Sequence, residues 1–208
     1  LIREMMLSRT FRLSTEASVS SLAVDPENRL LWRANRQRLD AEVIRDSVLS
    51  VSGSLDLEAG GLTIRKIQEY DLGYEFDTVR RSVYVPAFRN TMLDVFEVFD
   101  IANPNLVTGN RTTTTLPTQS LFMMNSPFVI EQSRNAAKRL LLMESSDEHE
   151  RLDIAFQRTL GRLPSNGERA LTLEFLDQFD HDDPEQVLDA WSGVFHTLFA
   201  SLDFRYMN

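Results

Sequence analysis

Apolar positions recur with a helical period along much of the chain, most cleanly after residue 126. Leu188, Trp191, Phe195, Leu198 and Leu202 fall on one stripe, and Asp183-Pro184-Glu185 supplies an N-cap, a first-turn proline and a first-turn acid. The spacing predicts helices at about 127–143, 148–160, 165–180 and 184–202, punctuated by Gly161 and Gly167. Short connections between them predict an antiparallel bundle. Upstream, residues 1–9 read as a helix end, because Leu1, Met5 and Ile2, Met6 are i, i+4 pairs. Asp25-Pro26-Glu27 predicts a helix to about Gln37. A second begins at Asp40 and stops at Gly53, with Val43, Ile44, Val48, Leu49 and Val51 on its apolar side.

The middle of the chain loses that period. Residues 54–79 read as irregular around Gly60-Gly61. Ser82-Val83-Tyr84-Val85 has strand composition and stops at Pro86, with residues 62–67 as its hairpin partner. Asn90 can cap a short helix through Val98, residues 100–116 form a loop, and Pro117 opens a helix through Met124. The predicted fold is mainly α: a helical bundle with a small β-hairpin and long irregular loops. One echo stands out, Ser8-x-x-Phe11-Arg12 and Ser201-x-x-Phe204-Arg205, each after an apolar helix. Three matches in five positions do not make a repeat architecture.

Charge refines the domain picture. Residues 1–139 hold 17 basic and 17 acidic side chains, whereas residues 140–208 hold 5 and 14, so the last third carries the whole net charge of −9. This divides the chain into a motif-bearing region, 1–139, and an acidic helical bundle, 140–208, packed as one domain. A net acidic chain lacks the basic face that a general nucleic-acid binder needs. No apolar run approaches the ~18 residues of a membrane span. The chain has no cysteine, which removes disulfides, thiolate metal sites and covalent haem attachment. Twenty of the 22 basic residues are arginine, a bias that suits bidentate anion recognition and also follows from a GC-rich genome.

Candidate chemistry is sparse. His149, His181 and His196 share no metal-ligand spacing, and no phosphate loop or nucleophile elbow is present. The acidic runs 147–150 and 180–185 read as helix starts. Arg29, Arg33 and Arg36 lie on one face of the predicted first helix, where they bind an anion or pair with Asp40, Glu42 and Asp46. A second cluster comprises Arg80, Arg81, Tyr84, Arg89, Asp100, Gln119 and Asn125, set among Phe88, Phe96 and Phe99. Such groups either hold loops together by buried hydrogen bonds or line a ligand pocket. No catalytic or metal-binding residue emerges.

Several runs carry a resemblance. They are residues 25–33, 38–46 and 80–86; the long run from Phe96-Glu97-Val98-Phe99-Asp100 through Asn103-Pro104-Asn105 to Ser126-Pro127-Phe128; and Leu160-Gly161-Arg162-Leu163-Pro164 and Ser201-Leu202-Asp203-Phe204. Together they resemble the C-terminal domain of unknown function in large planctomycete-type proteins that carry cytochrome-c-like domains near their N-termini. The resemblance implies part of a multidomain, exported or periplasmic protein, whose family domain begins upstream of Leu1. It implies no cofactor in this segment, since haem belongs to the separate cytochrome-like domain, and it carries over no catalytic residue. The expected function is a non-catalytic module that docks other domains of the same polypeptide, with self-association through Ile2, Met5 and Met6 as a further expectation. The competing expectation is a redox or hydrolytic enzyme domain with its pocket at the Arg/Asp/Gln/Asn cluster.

Overall fold

The computed structural model describes residues 1–66, 74–111, 113–143 and 147–207. It is mainly helical. The helices are α1 (Ile2–Leu7), α2 (Val19–Val24), α3 (Ala41–Ser52), α4 (Asp94–Val98), α5 (Pro117–Asn125), α6 (Pro127–Leu141), α7 (Glu148–Leu160), α8 (Asn166–Leu176), α9 (Pro184–Ala200) and α10 (Leu202–Arg205). Among the described residues, four two-residue strands join them: β1 (Gln37–Arg38), β2 (Arg65–Lys66), β3 (Tyr74–Glu75) and β4 (Tyr206–Met207). β2 and β3 make the small antiparallel hairpin, with Arg65 opposite Glu75.

The chain divides into two compact units, Leu1–Leu39 with Arg205–Asn208, and Asp40–Phe204. This line differs from the charge boundary at 139. The first unit holds eight basic and four acidic side chains, net +4; the second holds 14 and 27, net −13.

In the second unit, α6 and α9 form the central pair, with α3 against α6 and α5, α7 and α8 against α9. The sizes of the buried residues are complementary. α6 buries Ser133, Ala136 and Ala137 among its inward positions, whereas α9 buries Trp191, Phe195 and Phe199. Polar contacts fix the register. Ser52 Oγ donates to Gln132 Oε1 at 2.8 Å, both buried, and Arg139 Nη1 donates to the Ser50 carbonyl at 2.9 Å. The predicted starts of these helices hold where their capping chemistry is local, as do the stops of α3 and α7, whereas α8 ends at Leu176, short of the expected 180, and α9 at Ala200, short of 202. Asp147 Oδ1 accepts the Glu150 amide at 2.8 Å, Asp183 Oδ1 accepts the Glu185 amide at 3.0 Å, and Ser165 with Glu168 closes a capping box. Gly53 (φ 79°) and Gly161 (φ 72°) end α3 and α7 in the left-handed region.

Three expectations are corrected. No helix runs from Asp25 to Gln37. The Asp25 carboxylate accepts the amides of Arg29 (3.0 Å) and Leu30 (2.8 Å), and its carbonyl accepts the Trp32 indole N–H at 2.9 Å. Asn28 (φ 55°) and Leu31 (φ 51°) turn the chain left-handed, and Asn28 Nδ2 donates to the Arg33 carbonyl at 2.9 Å. These side chains offer the backbone a better set of partners than a helix does. The arginine row of a helical face therefore does not form; Arg33 lies over the Trp32 ring and Arg36 over the Tyr206 ring, 5.2 and 5.0 Å from the centroids.

Second, residues 82–84 form a single 3-10 turn instead of a strand. Asp46 Oδ1 accepts both the Ser82 amide (2.8 Å) and its hydroxyl (2.6 Å), which leaves that edge no free ladder. Arg65 and Lys66 pair with β3 instead, and Ile67 lies outside the described residues. Third, α4 starts at Asp94, because Phe96 and Glu97 donate their amides to Leu93 after a turn that closes Phe88 on Thr91. Two elements were not foreseen: α2, and the antiparallel pair of β1 with β4, which returns the C-terminal residues to the first unit.

The Ser-x-x-Phe-Arg echo is a shared way to end a helix. Ser8 Oγ donates to the Met5 carbonyl (2.7 Å) and accepts the Phe11 amide (3.2 Å). Ser201 Oγ donates to the Leu198 carbonyl (2.7 Å) and accepts the Phe204 amide (3.3 Å). The surroundings differ: Phe204 is buried, whereas Phe11 is 58% exposed.

Replacing Gly161 with alanine strains a left-handed residue without a clash, since no atom lies within 4 Å of an added Cβ. The expected loss is about 1 kcal/mol in urea unfolding, and asparagine at the same position should recover part of it.

Candidate functional site

The structure distributes the seven candidate residues among separate local networks. Arg80 reaches back to residues 56–60. Its Nε lies 3.3 Å from Asp56, its Nη2 lies 2.8 Å from Glu58, and Nη1 donates to the Gly60 carbonyl. Asp100 (φ 60°) and Gln119 come together around Thr114. The Asp100 carboxylate accepts the Thr114 amide and hydroxyl, each at 2.9 Å. Gln119, 1% exposed, donates Nε2 to the carbonyls of Val98 (3.2 Å) and Thr114 (3.1 Å). These bonds fasten the loop after α4 to the start of α5. Tyr84 is half-buried and accepts Thr63 Oγ1 on its carbonyl at 2.7 Å. Arg89 is exposed, and its carbonyl accepts Asn105 Nδ2. Asn125 is exposed and donates to the Leu121 carbonyl within α5. Arg81 alone of the seven lines a cleft described below.

A further pair, Arg45 and Asp46, was not among the candidates. Arg45 is 3% exposed. Its Nη1 donates to the Arg80 carbonyl (2.8 Å) and Ser82 Oγ (3.2 Å), and its Nη2 to the Thr78 carbonyl. Burial pulls its pKa below the usual arginine value, and the neighbouring Asp46, 3.5 Å away, acts in the opposite direction. A signal for it exists in the sequence. Arg45 occupies the buried stripe Ala41, Ile44, Val48, Leu49, Ser52 of α3, where an arginine must find partners or unfold the helix.

On the outer side of α3 lies a cleft of about 720 Å³. Asp40, Glu42, Asp46, Ser47 and Ser50 form one wall, Arg81, Ser82, Val83 and Val85 the other, with Phe96 and Ile101 between them and Arg111 at the rim. Glu42 and Arg111 make a two-pronged pair, 2.8 Å at each prong. Burial pushes the Glu42 carboxyl up, but the Arg111 fork together with a backbone hydrogen bond outweighs it and holds it below the ordinary range. The same fork raises Arg111. Asp46 is engaged by Ser82. Arg81, among the described residues, makes no ion pair or hydrogen bond through its guanidinium. The cleft thus offers one unspent cation beside carboxylates, an arrangement suited to a dipolar guest.

No histidine lines this cleft. His196 Nε2 meets the Met123 carbonyl at 3.1 Å, and His181 Nδ1 lies 3.2 Å from Glu148. Among the described residues no group of three His, Asp or Glu side chains could hold a metal ion, and no helix is long and apolar enough to cross a membrane.

The fold and these networks define a mainly helical module with a small hairpin and a polar cleft along α3. The chain belongs to the family described as PSD1, protein of unknown function (DUF1553), which it matches over residues 1–176. That match runs from α1 to the end of α8. No curated protein and no solved structure matches the chain.

Replacing Arg45 with methionine strands the carbonyls of Thr78 and Arg80, and the expected cost is about 3 kcal/mol in chemical unfolding. Arg45→Lys should recover little, because one ammonium cannot reproduce the fork. Gln119→Leu, which unpairs two carbonyls, should cost about 2 kcal/mol in the same measurement.

Proposed function

We propose that this chain is a non-catalytic docking module of a larger exported, cytochrome-c-associated protein, with any haem held in a separate domain. One observation carries the reading. Of the 27 exposed large apolar side chains among the described residues, 12 fall in the first unit, which has 43 residues. They include Leu1, Ile2, Met5, Met6 and Leu7 on α1, Phe11 beyond it, and Val19 and Val24 on α2. Exposed apolar clustering of this kind marks interaction surfaces. The unit's net charge of +4 selects the partner's chemistry: an apolar patch ringed by carboxylates, on another domain of the same polypeptide. The intramolecular bonding of Arg80, Asp100 and Gln119 supports a structural use of that cluster.

A second reading, a hydrolytic or redox enzyme domain, is favoured by the unspent Arg81 in the cleft along α3. In that case Arg81→Ala would abolish binding of a small ligand while leaving the thermal midpoint unchanged.

Mixing the chain with the cytochrome-c-like domain of its own polypeptide tests the docking reading by calorimetry. The expected result is a salt-sensitive complex that Ile2→Asp with Phe11→Asp weakens about tenfold or more. No complex, or one indifferent to these substitutions, overturns it. Concentration-dependent sedimentation of the chain alone, suppressed by the same substitutions, replaces the partner domain with a second copy.

A further inference from the structure

A second cavity, about 410 Å³, opens where β3 and the residues after it meet α4 and the junction of α5 with α6. Four aromatic side chains line it, Tyr74, Phe76, Phe122 and Phe128, each half-buried. They differ in this from Phe96 and Phe99, which are 1% exposed and belong to the core. Three of the four are braced by a further ring. Tyr74 stacks on Phe88 at 4.6 Å between centroids, Phe76 tilts against the same ring at 6.4 Å, and Phe122 meets Phe99 edge-on at 6.1 Å. Half-covered rings held in place offer a guest ring stacked and edge-on partners, which an aliphatic guest of equal volume cannot use. The volume falls within the range of small-molecule sites.

The polar groups of the wall decide what else the guest carries. Arg45 reaches this cavity, but its guanidinium is committed to the Thr78 and Arg80 carbonyls and to the Ser82 hydroxyl. The Leu93 carbonyl is taken by the amides of Phe96 and Glu97. The Asp94 carboxylate and the Ser126 hydroxyl also lie on the wall, and neither makes a hydrogen bond or ion pair among the described residues. A carboxylate accepts hydrogen bonds and donates none. A guest hydroxyl therefore finds a partner at Asp94, whereas a guest carboxylate meets a like charge there and an arginine already engaged.

We propose that this pocket binds a small aromatic molecule of the phenol class, with its ring among Phe76, Phe122 and Phe128 and its hydroxyl donating to Asp94. None of the lining residues belongs to the first unit or to the cleft along α3.

Calorimetric titration of the full chain at pH 7 with phenol, cyclohexanol, toluene and benzoate tests this. Phenol should bind about tenfold or more tighter than cyclohexanol, which keeps the hydroxyl and loses the ring, and than benzoate. Asp94→Ala, at an exposed position, should weaken phenol about fivefold and leave toluene unchanged. Phe76→Leu should narrow the margin of phenol over cyclohexanol. The proposal is overturned if phenol shows no saturable binding, if cyclohexanol or benzoate binds as tightly as phenol, if Asp94→Ala leaves phenol unaffected, or if Phe76→Leu leaves that margin intact.

Discussion

A guanidinium almost sealed from water, that of Arg45, holds the irregular middle of this protein to its helical frame. It leaves α3 and takes the carbonyls of Thr78 and Arg80 together with the Ser82 hydroxyl. Burying a charge costs several kcal/mol, and the cost is offset only if nearly every N–H finds an acceptor. The backbone from 78 to 82 must therefore present its oxygens in one arrangement. Once it does, Asp46 on the next position of α3 captures Ser82 from the other side, and the segment is clamped by two adjacent residues of one helix. Downstream consequences are geometric. Arg80 is delivered to Asp56 and Glu58, the Tyr84 carbonyl to Thr63, and Arg81 to the cleft.

The arginine bias makes sense in that setting, although its uses differ in worth. Arg134 with Glu185 and Asp189 ties α6 to α9 at the surface, where such pairs contribute little. Arg45 and Gln119 act where water cannot substitute, so their loss is felt in full. Arg162 stands between these limits. Its fork joins the start of α8 to the start of α10 across the mouth of an apolar cavity, and the geometry is bidentate.

The sequence was most readable where capping chemistry and apolar period agree. α3 and α5 to α9 announce themselves by Asp, Ser or Pro at the start and Gly at the end of α3 and α7, and the side chains of Asp147, Ser165 and Asp183 cap backbone amides two or three positions on. The same locality misled at Asp25, where an identical Asp-Pro-Glu start is overruled by Asn28 and by the Trp32 indole. Nothing in a periodicity count weighs a side chain that bonds five or seven residues ahead. Ser82-Val83-Tyr84-Val85 failed for a longer-range reason, since its partner Asp46 is 36 residues away. Of the candidate cluster, Asp100 and Gln119 meet because both serve Thr114, 14 and 5 residues from them. Spacing along an irregular chain gave no means to separate them from Arg89 or Asn125.

The paired Ser-x-x-Phe-Arg segments separate what is local from what is not. At Ser8 and Ser201 the same hydroxyl makes the same two bonds, and the backbone there is alike, φ −64° in both. Five residues suffice to specify that turn. They do not specify whether the phenylalanine is covered: Phe204 packs against Phe199 at 5.0 Å between ring centroids, whereas Phe11 stands in solvent. Burial at the second site is supplied by α9 and its aromatic residues. An identical device at the first site, with apolar residues on the preceding helix and none of that cover, leaves exposed a surface of the kind a folded protein ordinarily places against another. The two segments share their local chemistry and differ in what surrounds them.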